Sequence, residues 1–193
     1  RRLAQRQPIA LGFDDRHHIH VRLEPVAKPI VAVEHHVRST NWQLDIVGQC
    51  GDEIRKRIQL SAKLAAHVTA HGFRSDVPAF FQAAHIYIQP TLKPGEGIGN
   101  SMAEAMSFGL PVVTSNLGGG IELTRHGQTG LHFEAGNPAA LGLTIDQLIE
   151  DPDLCDTLGL AAAGTLQTQF SLQQEAEAFL SLFQQLILKR THP

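Results

Sequence analysis

The chain has 193 residues, 42% of them hydrophobic and 18% charged, and its formal net charge is −3 at pH 7. This length predicts one domain with a substantial core, and the charge gives no reason to expect nucleic acid as a partner. No apolar run approaches the ~20 residues of a membrane helix, and no signal peptide is visible at the N-terminus. The two cysteines form no CxxC pair, which indicates free thiols and predicts a cytoplasmic protein.

Residues 1–16 are polar and basic, and we interpret them as a lead-in or linker, with a solvated segment favoured over a binding patch. The run HHIH follows at residues 17–20 and predicts either a metal site or structural histidines on a strand. On a strand, His18 and His20 point to one face and His17 to the other. No carboxylate or cysteine completes a ligand set by spacing, so the structural interpretation is favoured and no metal site is predicted.

The following part of the chain alternates between helical and strand patterns. Pro29 is predicted at the first position of a helix, and Asp76 is predicted to cap a short helix. The predicted helices cover residues 29–38, 53–67 and 77–84, and the predicted strands cover residues 42–48, 68–73 and 86–89.

Residues 90–116 are the most informative stretch and read PTLKPGEGIGNSMAEAMSFGLPVVTSN. An apolar run precedes a loop with three glycines, a helix is predicted over 100–108, and Gly109 and Pro111 stop it before a second apolar run. Strand, glycine-rich turn, helix and strand make a βαβ unit. The turn would place bare backbone N–H groups at a helix N-terminus, where the helix dipole favours an anion.

Two glutamates in this stretch, Glu96 and Glu104, have seven residues between them, with GIG after the first and AM after the second. This pattern resembles the donor-binding half of retaining, nucleotide-sugar-dependent glycosyltransferases of the GT-B architecture. In that family an aromatic residue usually occupies the position of Ile98. The resemblance covers roughly residues 21–171.

The segment VRLEPVAK at residues 21–28 resembles the Gly-Arg-Leu…Lys segment of the same family, with Val21 where the family has Gly. The resemblance implies that Arg22 and Lys28 hold the donor diphosphate. Two fixed cations suit that role because negative charge develops on the departing nucleotide. The alternative is that both are solvated surface cations.

The resemblance also implies roles around the glycine loop. Glu96 would contact hydroxyls of the transferred sugar, Glu104 would accept hydrogen bonds from the ribose, and the helix N-terminus at Gly99 would hold the diphosphate. The loop after the strand at 68–73 would meet the nucleotide base. The implied catalytic residues are Glu96, Arg22 and Lys28, and the implied donor-binding residues are Gly97, Ile98, Gly99, Asn100, Glu104, Phe73 and Arg74.

Several features follow the central stretch. The glycines at 118–120 are similar to a Gly-Gly-x-x-Glu segment of the family and suit either a ligand contact or a tight turn, and Glu122 is predicted to be structural. Asn137 and Asp151, each followed by proline, predict the starts of two helices. Residues 171–193 predict a last helix, capped by Ser171, with the apolar side Leu180, Leu182, Phe183, Leu186 and Ile187.

Short apolar strands alternate with amphipathic helices about six times, which predicts an α/β fold. The expected architecture is a Rossmann-like open parallel sheet with helices on both faces, one half of a GT-B fold. Ligands of such sheets bind at the carboxyl ends of the strands. The predicted division is a lead-in at 1–16, a donor-binding domain at 17–170 and a C-terminal helix at 171–193.

The function implied by the resemblance is to bind a nucleoside-diphosphate sugar for transfer to an acceptor with retention of configuration, without a metal ion or other cofactor. The other partner would be an N-terminal acceptor-binding domain, which is absent from these residues. A peripheral membrane contact would be made only through that domain. These residues alone would transfer no sugar. The alternatives are a GT-B-like sugar-nucleotide epimerase, a phosphorylase relative, or a degenerate scaffold domain, the last suggested by Val21 and Ile98.

Overall fold

The computed structural model of the chain describes residues 17–22, 27–48, 50–92, 97, 99–170 and 172–191. The strands in these ranges are β1 His17–Arg22, β2 Trp42–Val47, β3 Val68–Gly72, β4 Ile86–Gln89, β5 Val112–Ser115 and β6 Gly130–Phe133. They form one sheet in the order β3-β2-β1-β4-β5-β6, and each of its pairings is parallel. The predicted open parallel sheet is therefore confirmed.

Helices connect the strands and follow the last of them. They are α1 Ala27–His35, α2 Asp52–Leu60, α3 Ala62–His67, α4 Val77–Ala83, α5 Asn100–Ser107, α6 Gly120–Leu123, α7 Pro138–Glu150, α8 Pro152–Gln169 and α9 Leu172–Thr191. None of the helices in the described ranges is both long enough and apolar enough to cross a bilayer.

Two apolar clusters cover the two faces of the sheet. Alternate residues of β4 point to opposite faces. Ile86 and Ile88 lie in one cluster with buried residues of α1, α3 and α7, whereas Tyr87 lies in the other with buried residues of α4, α5 and α8. Helices therefore pack on both faces, as predicted.

The strand order reverses between β1 and β4, which are neighbours in the sheet although two strands separate them in sequence. In open α/β sheets this reversal opens a crevice at the carboxyl ends of the strands, where ligands bind. Arg22 is the last residue of β1 and Gln89 is the last residue of β4, so both chain segments enter the crevice at these positions.

The single helix predicted over 53–67 is wrong, because the segment divides at Ser61 into α2 and α3. Ser61 has an extended backbone and donates its N–H to the carbonyl of Arg57, which ends α2. Its hydroxyl accepts from the N–H of Leu64, which caps α3. Leu60, the last residue of α2, is 88% exposed.

The other predicted helix starts differ less from the structure. α1 begins at Ala27, so Pro29 lies in its first turn and not at its first position. Proline is tolerated there because the first N–H groups of a helix have no partner within it. The starts of α7 and α8 are confirmed, since Asn137 accepts from the N–H of Ala140 and Asp151 from the N–H of Leu154.

The last helix, α9, has the predicted pattern but does not bury it against the described chain. Its apolar side chains are 49% to 62% exposed, and these are Phe179, Leu180, Leu182, Phe183, Leu186 and Ile187. The rings of Phe179 and Phe183 stack on each other, 6.3 Å apart. Residues 1–16 and the predicted cap Ser171 lie outside the described residues.

Candidate functional site

A cavity of about 290 Å³ opens at the carboxyl end of the sheet. It lies between the ends of β2 and β3, α4 and the first turn of α5. Its lining residues are Val47, Gly48, Phe73, Arg74, Val77, Phe81, Asn100, Ser101 and Glu104. The structure thus brings together four residues that the sequence predicts around the donor: Phe73, Arg74, Asn100 and Glu104.

The remaining predicted site residues are placed less completely. Arg22 ends β1 and Lys28 is the second residue of α1, so the backbone carries both to the carboxyl side of the central strand. Glu96 and Ile98 lie outside the described residues. The assignment of these four residues to a ligand stays a prediction.

Gly99 is the N-cap of α5, with an ordinary extended backbone and no side-chain cap. A Cβ atom there would lie 2.7 Å from Nε2 and 2.8 Å from Oε1 of Gln89. A larger residue at this position would therefore require the flexible amide end of Gln89 to move. Gly97 differs, because it is exposed and no described atom lies within 4 Å of a Cβ built on it.

A buried polar network underlies the first turn of α5. The Tyr87 hydroxyl donates to Oε1 of Gln89 at 3.1 Å, and it lies 2.7 Å from the Ser101 hydroxyl. Tyr87 is fully buried and Gln89 is 9% exposed. Sequence reasoning missed this network, although two polar residues at alternate positions of the run IYIQ point to one face of the sheet and indicate polar partners there.

Glu104 is an exposed carboxylate at the cavity edge, one helical turn after Ser101. Residues three apart on a helix are neighbours on its surface. Glu104 and Ser101 therefore present two oxygen groups to the same cavity. On the solvent side of the helix, the Ser107 hydroxyl donates to the backbone carbonyl of Glu104 at 2.6 Å.

The opposite wall of the cavity, which follows β3, is formed by residues at the protein surface. Phe73 is 83% exposed. Arg74 donates two hydrogen bonds to the carboxylate of Asp76, at 2.8 and 2.7 Å, and its guanidinium carbon lies 5.8 Å from the centre of the Phe80 ring. These hydrogen bonds raise the pKa of Arg74 and lower the pKa of Asp76.

This ion pair corrects the predicted role of Asp76. The residue precedes α4, as predicted, but its side chain makes no capping hydrogen bond. Its carboxylate is held by Arg74 instead, and the proline in the first turn of α4 removes one of the N–H groups that a cap would satisfy.

A histidine and an aspartate lie behind the same wall. Nε2 of His71 is 2.7 Å from Oδ1 of Asp45, which is only 5% exposed, and the His71 ring packs edge-on against Phe80 at 4.8 Å. Across the described residues, no group of three His, Cys, Asp or Glu side chains is placed to hold a metal ion. The side chains of the histidines in β1 are outside that description.

The fold explains two of the three glycines at 118–120. Gly118 has a φ of 68°, a turn conformation that favours glycine. A Cβ on Gly120 would collide with the hydroxyl oxygen of Thr114 on β5. A tight turn accounts for Gly118 and close packing against β5 accounts for Gly120, whereas a ligand contact of this segment stays a prediction. Glu122 is exposed in the short helix α6 that follows.

A family model described as glycosyl transferases group 1 matches residues 20–151 of the chain. The capsular polysaccharide biosynthesis glycosyltransferase CapM of Staphylococcus aureus is 32% identical over 112 residues, which are 56% of this chain and 29% of CapM. The lipopolysaccharide core biosynthesis mannosyltransferase LpcC of Rhizobium leguminosarum bv. viciae is 28% identical over 157 residues, which are 77% of this chain and 43% of LpcC. The chain therefore spans less than half the length of these relatives.

Solved structures show the same architecture. The structure of HepE (Alr3699) of Anabaena, in complex with UDP and glucose, matches with a TM-score of 0.78 and 26% identity, over 89% of this chain and 50% of that chain. The C-terminal domain of the glycosyl transferase group 1 family protein LpcC from Francisella tularensis matches with a TM-score of 0.70 and 18% identity, over 81% of this chain and 87% of that domain. The second likeness shows the fold alone.

Proposed function

The chain belongs to the glycosyl transferases group 1 family, and we propose that it is the donor-binding half of a retaining glycosyltransferase of the GT-B architecture. The observation that carries the proposal is the cavity at the carboxyl end of the sheet. It joins Phe73 and Arg74, from the loop after β3, to Asn100 and Glu104 on α5. A cavity of about 290 Å³ near a strand-order reversal is the site where α/β folds of this kind bind a nucleotide.

We assign the donor to this site in three parts. The nucleotide base lies against Phe73 and Arg74, and Glu104 accepts hydrogen bonds from the ribose hydroxyls. The diphosphate is held by Arg22, Lys28 and the first turn of α5, whose N–H groups and dipole attract an anion. Glu96 contacts the transferred sugar. The similarity to HepE, whose structure contains UDP and glucose, supports a nucleotide sugar as the ligand.

The acceptor and the rest of the catalytic machinery would belong to a second domain. The relatives are more than twice as long as the part of them that this chain covers. We propose that the exposed apolar side of α9 contacts that domain, through which any peripheral membrane contact would also be made. Without it, these residues are expected to bind the donor and transfer no sugar, since transfer requires both reactants to be held together. Cys50 and Cys155 form no disulfide, which favours a reducing, cytoplasmic compartment.

Calorimetric titration with UDP, GDP and ADP tests the proposal, and we expect at least one of them to bind. Arg22→Ala and Lys28→Ala should each weaken that binding about tenfold or more, because a charge-assisted hydrogen bond to a diphosphate contributes roughly 1.5–3 kcal/mol. Binding should survive EDTA, because two cations and backbone N–H groups take the place of a metal ion in this assignment.

Lys56→Ala provides the control, since Lys56 is an exposed cation on α2 away from the cavity. It should leave the affinity unchanged. A chain that ignores all three nucleotides would be a scaffold and not a donor-binding domain. Unchanged affinity in both the Arg22 and Lys28 variants would remove the diphosphate assignment.

A further inference from the structure

The turn that precedes β6 folds back over the outer edge of this strand. β6 lies at one end of the sheet, so one of its sides faces no other strand of the described sheet. On that side the Gly127 N–H donates to the carbonyl of Gly130 at 2.8 Å. Two residues further along, the His132 N–H donates to Nδ1 of His126 at 2.8 Å. The turn therefore occupies backbone groups that an edge strand would otherwise leave unpaired.

The contact between His126 and the His132 N–H fixes the protonation state of the His126 ring. Its Nδ1 atom accepts a hydrogen bond, so the proton of the neutral ring lies on Nε2. A second proton would be placed on Nδ1, where it would face the N–H of His132. Two donors form no hydrogen bond, so protonation breaks the contact. Histidine side chains ordinarily change charge between about pH 5 and 8, and the loss is therefore expected in mild acid.

The neighbouring ring of His132 takes up a proton less readily than an ordinary histidine. It is half-buried, and its centre lies 5.5 Å from the centre of the exposed His126 ring. Its Nε2 atom lies 2.8 Å from the hydroxyl of Thr124, which donates to the carbonyl of Gly120. Burial, and then the charge of His126, lower the pKa of His132. A second positive charge beside His126 is therefore disfavoured.

Among the described residues, no carboxylate forms an ion pair with His126. The nearest acidic residues in sequence are Glu122 on α6 and Glu134 after β6, and both are exposed. Glu134 accepts from the side-chain amide of Asn137 at 2.8 Å. The adjacent residue, Arg125, is a cation and opposes a further positive charge. Protonation of His126 thus gains no described ion pair that would offset the lost hydrogen bond.

We propose that His126 is a pH-sensitive switch at the outer edge of the sheet. Neutral His126 binds the N–H of His132, and protonated His126 releases it. An unpaired N–H at a strand edge is a template for pairing with another chain, so the switch keeps this edge covered at neutral pH and uncovers it in acid. The switch does not involve the nucleotide, and its test is therefore independent of the proposed function.

Amide exchange of the 193-residue chain, measured by NMR, tests the switch. The protection of the His132 amide, corrected for the intrinsic exchange rate at each pH, should fall about threefold to tenfold between about pH 8 and pH 5. Leu131 is the internal reference. Backbone groups alternate in direction along a strand, and the carbonyl of Phe133 accepts from the N–H of Asn116, so Leu131 is directed toward β5 as well. Its protection should not change.

Two substitutions separate His126 from other titrating groups. His126→Asn offers an amide oxygen as acceptor without a titrating ring, so the protection of the His132 amide should no longer depend on pH. His126→Ala removes the acceptor, so the protection should be low at both ends of the pH range. His35→Asn is the matched control, because it removes an exposed histidine from α1. It should leave the pH dependence at His132 unchanged.

Three outcomes would overturn the switch. The first is equal protection of the His132 amide at both ends of the pH range in the unaltered chain. The second is a pH dependence that survives in His126→Asn, because another group would then be responsible for it. The third is a parallel loss of protection at Leu131, because β6 as a whole would then open and not only its outer edge.

Discussion

The two walls of the cavity are stabilised by different kinds of interaction. The α5 wall rests on a fully buried tyrosine, a buried amide and a glycine cap in close contact, whereas the wall after β3 consists of an exposed phenylalanine and a surface ion pair. Buried hydrogen bonds are protected from water and salt, but exposed ion pairs are screened and individually weak. One wall is therefore preformed by the fold, and the other depends on solution conditions.

The preformed wall is supported from behind by α8. Gly159 on α8 faces the carbonyl of Gly109. Gly109 follows α5 and has a left-handed backbone conformation, with a φ of 72°. A Cβ on Gly159 would collide with that carbonyl oxygen, so the two segments are in direct contact. The position of α5 at the cavity is thus tied to the packing of α8.

The largest effect is expected when this support is broken. Gly159→Ala should lower the stability of folding by about 2–3 kcal/mol, because a backbone oxygen cannot yield as a flexible side chain can. For a chain of this size the melting temperature should fall by several degrees. Gly164→Ala on the same helix is the control, since no described atom lies within 4 Å of its Cβ. Thermal unfolding of the two variants separates packing from helix propensity.

The two alanine variants should move in opposite directions. Alanine is the better helix former by roughly 0.5–1 kcal/mol, so Gly164→Ala should stabilise the chain slightly. Equal melting temperatures for the two variants would show that α8 does not hold the α5 wall at Gly159.

A smaller effect, confined to ligand affinity, is expected at the edge of the preformed wall. Glu104→Ala should weaken the bare nucleoside diphosphate and the nucleotide sugar alike, by about 1.5 kcal/mol or roughly tenfold, because the ribose belongs to both. Glu104 is exposed, so the melting temperature should not change. Glu122→Ala, which removes an exposed carboxylate from α6, is the matched control for calorimetry. A lowered melting temperature with unaltered affinity would mean that Glu104 serves only the helix.

The smallest effect is expected at the ion pair of the opposite wall, and it depends on pH. Hydrogen bonds from Arg74 hold the pKa of Asp76 below its usual range. The contribution of the pair to stability is therefore complete above the aspartate pKa of the unfolded chain, and it is lost as the pH falls through the lower folded value. The melting temperatures of Asp76→Asn and the unaltered chain should differ slightly at neutral pH and converge in acid.

Asp156→Asn provides the comparison, because Asp156 is an exposed acid on α8 far from Arg74 in sequence. Its melting temperature should follow that of the unaltered chain at every pH. A difference for Asp76→Asn that persisted in strong acid would show that the carboxylate acts without Arg74.

The sequence predicted the fold correctly wherever a local capping or turn signal allowed only one interpretation. Asn137 and Asp151 each stand before a proline, and both cap helices as expected. Ser61 stands inside an unbroken helical periodicity, and its side chain caps a new helix only because the chain turns there. The periodicity of apolar residues predicts which segments are helical. It does not show whether one helix continues past a side chain that can cap a second helix.

The structure brings the predicted residues Phe73, Arg74, Asn100 and Glu104 to one cavity, and their contact with a donor stays a prediction. Phe73, Asn100 and Glu104 share a cavity because strand ends converge at one edge of a parallel sheet, which the fold class already implies. The pairing of Asp76 with Arg74 was not predicted. An aspartate just before a helix can either cap the helix or form an ion pair, and its sequence position is the same in both cases. The Tyr87–Gln89–Ser101 network escaped prediction because its partners meet only after β4 and α5 have packed together.

The side chain of Gln89 occupies the space that a side chain at position 99 would need, with 2.7 Å from its Nε2 atom to a Cβ built there. In evolutionary terms these two positions are expected to covary. Alanine at position 99 would be accommodated either by a shorter residue at position 89 or by movement of the Gln89 amide, and each would disturb the acceptor of the Tyr87 hydroxyl. Mutational drift at the start of α5 is thus coupled to a strand in the interior.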